Sequence, residues 1–238
     1  MVMSPAEGNV WLSLIAVMSY IAGSLPSAYL VTRGMTGKDI RFEGSRNIGT
    51  MNAYGIIKSN RSRGLAIGGL ILTFVGDAGK GALAIFVARW LSFLGYNSAT
   101  ALILASSWAI LGHNYPLCFK FKQGGRGVAT LMGVLFALDK PLLGIWGGTL
   151  LVSMFAAQYI LGRKIDWHSF SGLFSVIGSQ VAGRVAGMGI ALVPFYFFDT
   201  KVFLPALAAT IPVLVSHIIR VKGHIREWAN PKSGIPSG

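Results

Sequence analysis

Three short stretches of this chain combine glycine with hydroxyl, amide or ionisable residues that an apolar scaffold has no need of. The first is Gly44-Ser45-Arg46-Asn47-Ile48-Gly49-Thr50-Met51-Asn52. Small and amide residues around glycines let successive backbone N–H groups converge, and such nests bind anions, phosphate above all. The plainer reading is a glycine-rich turn capped by Asn and Ser. The second runs from Gly112-His113-Asn114-Tyr115-Pro116 to Gly124-Gly125-Arg126-Gly127-Val128-Ala129-Thr130. A Gly-Gly-Arg-Gly turn entering an apolar helix sets free N–H groups and a guanidinium at a positive helix terminus, which suits a phosphoryl oxygen. Its alternative is a basic loop gripping lipid headgroups, and Lys120 and Lys122 fit that better than Arg126 does. The third, Gly76-Asp77-Ala78-Gly79-Lys80-Gly81, lies inside a long apolar run. Asp77 and Lys80 share a helix face, as a structural ion pair at a helix break or as direct substrate ligands.

Several chemistries are excluded by pattern. The Gly-Gly-Arg-Gly turn lacks the Gly-Lys-Ser/Thr order of a nucleotide-binding P-loop. No Gly-x-Ser-x-Gly elbow exists for a serine hydrolase. The four histidines stand singly, which argues against bound zinc, and the one cysteine, Cys118, excludes an internal disulfide. Arg184 and His217 fall inside or beside apolar runs; a lone histidine near a helix end is more often an interfacial group than a catalyst, and His168 reads the same way.

The elements that must position these residues follow from composition. Of 238 residues, 53% are hydrophobic and 12% charged, with a mean hydropathy of +0.60. That is half the charge of an ordinary soluble domain and more apolar surface than one could hide, so a polytopic membrane protein is expected. Glycine, at 31 residues, is roughly twice its ordinary frequency, as where membrane helices pack closely. Apolar runs at 9–31, 64–94, 99–115, 142–161, 169–198 and 202–220 are long enough to cross a bilayer. A shorter one at 127–138 is a half-helix or slanted span covered by its neighbours. The expected fold is therefore all-α, with about seven transmembrane helices and glycine-rich cytoplasmic loops.

The net charge of +13 reads as topology, not nucleic-acid binding. Sixteen basic residues fall on alternate connections and the C-terminal tail, among them Arg33, Lys58, Lys120, Arg126, Arg163 and Lys222; the other connections hold only Lys140 and Lys201. The positive-inside rule then puts the N-terminus outside and the C-terminus in the cytoplasm, with an odd number of spans. The first run lacks the basic start of a secretory signal and reads as a retained helix. No internal repeat or linker interrupts the chain, so residues 1–229 read as a single membrane domain and 230–238 as a frayed tail.

Taken in order, the three motifs resemble those of the bacterial acyl-phosphate:glycerol-3-phosphate acyltransferase family, PlsY. Gly23-Ser24-Leu25-Pro26-Ser27-Ala28-Tyr29 and Asp39-x-Arg41-x-x-Gly44-Ser45 match as well, so the likeness covers residues 20 to 135. From 140 to 238 only the helix pattern agrees. The resemblance implies a seven-helix enzyme of the bacterial cytoplasmic membrane. It would move a fatty acyl group from acyl phosphate to the 1-hydroxyl of glycerol 3-phosphate, forming lysophosphatidic acid and phosphate in phospholipid biosynthesis, with no metal or cofactor. An acyl phosphate is already activated, so such an enzyme chiefly stabilises phosphate charge and holds the alcohol near the carbonyl.

On that likeness Ser45 and Arg126 are the expected catalytic residues. Gly44, Arg46, Asn47, Gly49, Thr50 and Asn52 would form one wall of the substrate site, and Gly124, Gly125, Gly127 and Thr130 the other. Asp77 and Lys80 would brace them, His113 would orient the Gly124–Gly127 loop, and His224 would serve the acceptor. The chain departs from the family pattern at Arg46, where glycine is usual; at Arg126, where lysine is usual; at Gly55, where an arginine for the acceptor phosphate is common; and at Val221–Ile225, in place of a His-x-x-Asn-Ile pattern. The donor side is thus kept and the acceptor side rebuilt. Two other classes fit less well: a transporter of a phosphorylated metabolite, which would favour inverted repeats, and a scaffold holding anionic lipid, which leaves the glycine clusters unexplained.

Overall fold

A computed structural model describes residues 5–91, 97–122, 124–162, 172, 176–177 and 180–229. Every regular element in it is helical. Helices α1 (Pro5–Gly23) and α2 (Ser27–Thr36) form one apolar rod broken in the middle, because Pro26 has no N–H to continue the ladder. α3 (Thr50–Asn60) is short, and α4 (Arg63–Leu91) runs 29 residues without a break. There follow α5 (Ser98–Asn114), a 3₁₀ turn at Leu117–Phe119, α6 (Val128–Leu138) and α7 (Lys140–Ile160). The last three are α8 (Val181–Ile190), α9 (Leu192–Phe198) and α10 (Thr200–Ala229), the last containing Pro205 and Pro212.

Four stretches are long and apolar enough to cross a membrane: Ala6–Thr36, Arg63–Leu91, Lys140–Ile160 and Thr200–Ile219; Val128–Leu138 and Val181–Phe197 are shorter apolar helices. The run expected at 9–31 is thus a broken rod, and that expected at 202–220 continues as helix to Ala229. The expected run at 169–198 is described at 172, 176–177 and 180–198, where it is two helices and not one, and the tail from 230 lies outside the described residues.

The outer faces are those of a chain made for lipid. Val10, Leu14, Val17, Met18 and Ile21 line the exposed side of α1, and Leu65, Ile71, Leu72 and Val75 that of α4. The helices meet through small residues. A Cβ added to Gly81 of α4 would overlap the Thr130 carbonyl of α6, and one on Gly133 the Ala78 carbonyl; Gly23 and Gly112 meet the facing backbone of α5 and α1 in the same way. Backbones this close gain dispersion contacts that larger side chains would forbid, which is how helices associate when lipid removes the hydrophobic drive. The main core, with Ile85, Ile110, Leu131, Trp146, Phe195 and Val213, lies among α4 to α10. A second, smaller core of Ala28, Ile40, Ile48, Ala53 and Ile56 sits under the segment between α2 and α3.

Candidate functional site

The first glycine loop is shaped from within. Arg41 donates to both Asp39 carboxylate oxygens, at 2.9 Å from Nε and 2.6 Å from a terminal nitrogen, and its guanidinium lies 4.8 Å from the Phe119 ring centre and 5.5 Å from that of Tyr29. The pair holds the Asp39 carboxyl below the usual range and lifts Arg41 above its own. Asn52, buried at the start of α3, does the rest. Its Oδ1 accepts from the Ser45 N–H at 3.0 Å, and its Nδ2 donates to the Glu43 and Asn47 carbonyls at 3.1 and 3.0 Å. Gly44 has φ +55° and Arg46 φ +56°, so the chain passes twice through left-handed backbone; a Cβ on Gly44 would overlap Asn52 Oδ1. Ser45 and Arg46 end exposed at the loop's rim, and Gly49 caps α3 without any side-chain hydrogen bond.

The second loop is shaped from outside. Gly125 donates its N–H to the His113 carbonyl at 3.1 Å, and a Cβ on it would overlap His113 Nε2 and come within 2.7 Å of the Ile48 carbonyl. A Cβ on Gly124 would overlap the Asn114 carbonyl. Gly127, at φ +81°, turns the chain into α6 and again gives no side-chain cap. On its far side Ser216 Oγ of α10 donates to the Arg126 carbonyl at 3.3 Å, and Asn114 Nδ2 donates to the Pro212 carbonyl at 3.1 Å. Arg126 is half-buried, its Nε enclosed with no acceptor, and burial holds its pKa below the ordinary arginine value. Thr130 is fully buried against α4.

Between the loops stands the ionisable trio. Lys80 Nζ lies 3.0 Å from Asp77 Oδ1 and donates to the Leu25 carbonyl at 2.8 Å, while His113 Nδ1 lies 3.6 Å from the same Asp77 oxygen. All three side chains are buried. The helix break is therefore not in α4, where the ion pair sits, but in the α1–α2 rod opposite; Lys80 reaches across to the Leu25 carbonyl there, which also accepts from the Ser27 N–H. Irregular backbone at membrane depth survives only when such a partner covers it. Sequence reading located the pair but missed this partner, although Pro26 inside an apolar run was the signal for it.

A small cavity is lined by Leu25, Ser27, Ile48, Asp77, Lys80 and Gly125, with His113 at its wall. The two loops touch at Ile48 and Gly125, and α3 and α6 each begin within three residues of that contact. Two helix N-termini without side-chain caps, each with first-turn N–H groups that have no partner within the helix, thus start beside one arginine. Among the expected residues, Gly44, Ser45, Arg46, Asn47 and Gly49 lie together on the first loop, with Thr50 and Asn52 in the first turn of α3. Gly124, Gly125, Arg126 and Gly127 lie on the second, and Asp77, Lys80 and His113 between them. His224 falls in the last turns of α10, where side chains are outside the described residues. Among the described residues no cluster of His, Cys, Asp and Glu could hold a metal ion.

A family model described as glycerol-3-phosphate acyltransferase matches residues 13–230. The chain belongs to that family. Glycerol-3-phosphate acyltransferase 2 of Thermotoga maritima is 34% identical over 176 residues, 74% of this chain and 81% of that protein. The glycerol-3-phosphate acyltransferase of Pseudomonas aeruginosa is 40% identical over 161 residues, 66% of this chain and 70% of its own. Among solved structures, PlsY (YgiH), described as an integral membrane glycerol 3-phosphate acyltransferase, superposes in its lysophosphatidic acid form with a TM-score of 0.63 at 19% identity, covering 90% of this chain and 92% of that one. Its glycerol 3-phosphate form gives 0.62 at 20%, covering 95% and 96%. The acyltransferase family's fold, an all-helical membrane protein, is therefore shared along nearly the whole chain.

Proposed function

We propose that the protein transfers a fatty acyl group from acyl phosphate to the 1-hydroxyl of glycerol 3-phosphate, releasing phosphate and lysophosphatidic acid. The observation that carries this is the pair of uncapped helix N-termini at Gly49 and Gly127, brought together with Arg126. Oriented N–H groups and a guanidinium, fixed before substrate arrives, stabilise a developing phosphate without reorganisation. The hydroxyl oxygen bonds to the acyl carbon, the carbon–oxygen bond to phosphate breaks, and the hydroxyl proton leaves with the phosphate. No covalent enzyme intermediate is needed, so Ser45 serves as a hydrogen-bonding residue. Asp77, Lys80 and His113 hold α4, α5 and the broken rod in register around the site.

A second reading keeps the donor and changes the acceptor. Its support is Gly55, exposed on α3 with nothing within 4 Å of an added Cβ, where the family resemblance leads one to expect an arginine. Arg46 and Lys58, both exposed, and His224 are the candidate replacement charges that would instead keep glycerol 3-phosphate as the acceptor. Purified protein given acyl phosphate and a panel of alcohols, with phosphate release and product mass as readouts, decides: lysophosphatidic acid supports the first reading, and another ester without it supports the second.

The reading extends to topology. An odd number of crossings with the N-terminus outside follows from the basic connections, the apolar runs make that number seven, and the family resemblance makes the membrane a bacterial cytoplasmic one. After replacement of the exposed Cys118, cysteines near Lys58 and Ser233 should label only from the cytoplasm and one at Asn97 only from outside; same-side labelling of Lys58 and Asn97 overturns it.

A further inference from the structure

Arg41, Tyr29 and Phe119, none of which lines the cavity between the loops, meet in a stack that the proposed chemistry leaves unused. Arg41 is fixed by its own loop. Its backbone N–H and its Nε both donate to Asp39 Oδ1, at 3.0 and 2.9 Å, and a terminal nitrogen donates to Oδ2 at 2.6 Å. With that edge filled by a carboxylate, the guanidinium meets its neighbours through its flat faces. Its central carbon lies 4.8 Å from the Phe119 ring centre and 5.5 Å from that of Tyr29, and the two rings meet edge to face at 5.3 Å and 75°. A guanidinium within about 6 Å of a ring centre is attracted to the electron-rich face of the ring. Phe119 belongs to the segment that leads into the second glycine loop. It ends the 3₁₀ turn, after which Lys120 and Phe121 take φ of +53° and +61°, and the Phe121 N–H donates back to the Pro116 carbonyl at 3.1 Å. Two successive residues with side chains in left-handed backbone persist only where their surroundings hold them. Phe119 and Tyr29 also pack on the small core of Ala28, Ile40, Ile48, Ala53 and Ile56, and Ile48 is the residue whose carbonyl abuts Gly125. The ring that Arg41 grips therefore closes the same core that sets the contact between the loops.

We propose that Arg41 is a positioning residue: clamped by Asp39 and stacked on Phe119, it couples the first glycine loop to the start of the second and so fixes the spacing of the two helix N-termini that take the donor phosphate. The proposal rests on the acyl-phosphate reading. It gives Arg41 no contact with substrate, in contrast to Arg126. N–H groups held at fixed spacing act on charge that develops in the transition state, so loosening them shows in kcat before KM.

Single- and double-variant kinetics on the purified full-length protein, read as phosphate release, test it. Phe119→Leu fills the core without a ring face and should lower kcat about tenfold, as for loss of a partly desolvated cation–π contact. The KM for acyl phosphate and that for glycerol 3-phosphate should each stay within about twofold. Phe119→Tyr keeps the ring and should retain most of the rate. Arg41→Gln should lose at least as much as Phe119→Leu, and the double variant should fall below Arg41→Gln by no more than about twofold, the mark of two residues acting through one contact. Effects that multiply in the double variant, or a parent-like kcat in Phe119→Leu with only a lower Tm, would overturn the proposal and leave the stack a structural brace. A rise of one KM alone in Arg41→Gln would overturn it too, by making Arg41 a substrate ligand. If Arg41→Gln does not fold, the two Phe119 variants decide, and equal rates for Leu and Tyr sink the proposal. A parent that releases no phosphate from acyl phosphate removes the acyl-phosphate reading itself, whereas parent-like turnover in Phe119→Leu removes only the positioning role.

Discussion

The two glycine loops reach one cleft by opposite constructions. Residues 39–52 are organised by their own side chains: Asn52 gathers three backbone groups, Arg41 locks Asp39, and a small core of Ile40, Ile48 and Ala53 lies beneath. Residues 124–127 are wedged between His113, Asn114 and α10. Glycine therefore means different things in the two places. At Gly44 it serves backbone conformation; at Gly124 and Gly125 it serves clearance. The first loop should suffer most from losing a side chain, and the second from gaining one.

Chemistry supplies the largest expected effect, and it falls on the wedged loop. Arg126→Ala should lower kcat/KM by about 10²- to 10³-fold, the loss of one strong electrostatic donor at a developing charge. Arg126→Lys should recover part of it, since the charge returns without the planar fork. Ser45→Ala should fall less steeply, and no acyl-Ser45 adduct should be trapped. Parent-like turnover by both Arg126 variants would leave that residue a headgroup anchor and end the contrast. Gly125→Ala comes next. Its methyl has no place between His113 Nε2 and the Ile48 carbonyl, so the loops must part, and a displacement of about 1 Å costs on the order of 10²-fold in rate. The same change at exposed Gly55 should leave the rate within about twofold.

The self-organised loop should answer in stability. Asn52→Ala strips acceptors and donors from three backbone groups, and unsatisfied partners cost about 1–3 kcal/mol in total when only partly reached by water. Thermal unfolding in detergent, with activity measured below the transition, separates this from a lost substrate contact. A variant as stable as the parent but inactive would move Asn52 from the frame of the loop to its working surface.

How much of this was legible in the sequence follows the same division. The apolar runs and glycine motifs are local patterns, and they locate α4, α5, α6, both loops and the Asp77–Lys80 pair. What a linear reading does not contain is which distant backbone each side chain meets. Lys80 with Leu25, Asn114 with Pro212, Ser216 with Arg126, and Arg89 capping the Ala137 and Leu138 carbonyls all join segments dozens of residues apart. His217 reads as an ordinary interfacial histidine until α8 brings Arg184 to it. The helix break that one of the two readings of the Asp77–Lys80 pair put in α4 is absent for a related reason: packed against α6, that helix stays continuous, since its glycines serve close approach.

Arg46 gives the smallest effect and sharpens the comparison most. It is a non-glycine residue at φ +56° on the exposed rim of the first loop. Left-handed backbone costs an L-residue roughly 1–2 kcal/mol, which glycine avoids. Glycine also adds freedom to the unfolded chain, worth about 0.4–1 kcal/mol in the other direction. Arg46→Gly should therefore raise Tm by a few degrees at most, about 2–4 °C per kcal/mol for a chain of this size. A KM for glycerol 3-phosphate that rises far more than that for acyl phosphate would make Arg46 the charge that replaces the one missing at Gly55, and the strain would then be the cost of function. Equal shifts in the two constants, or none, would leave Arg46 a strained residue of the rim with no part in holding the acceptor.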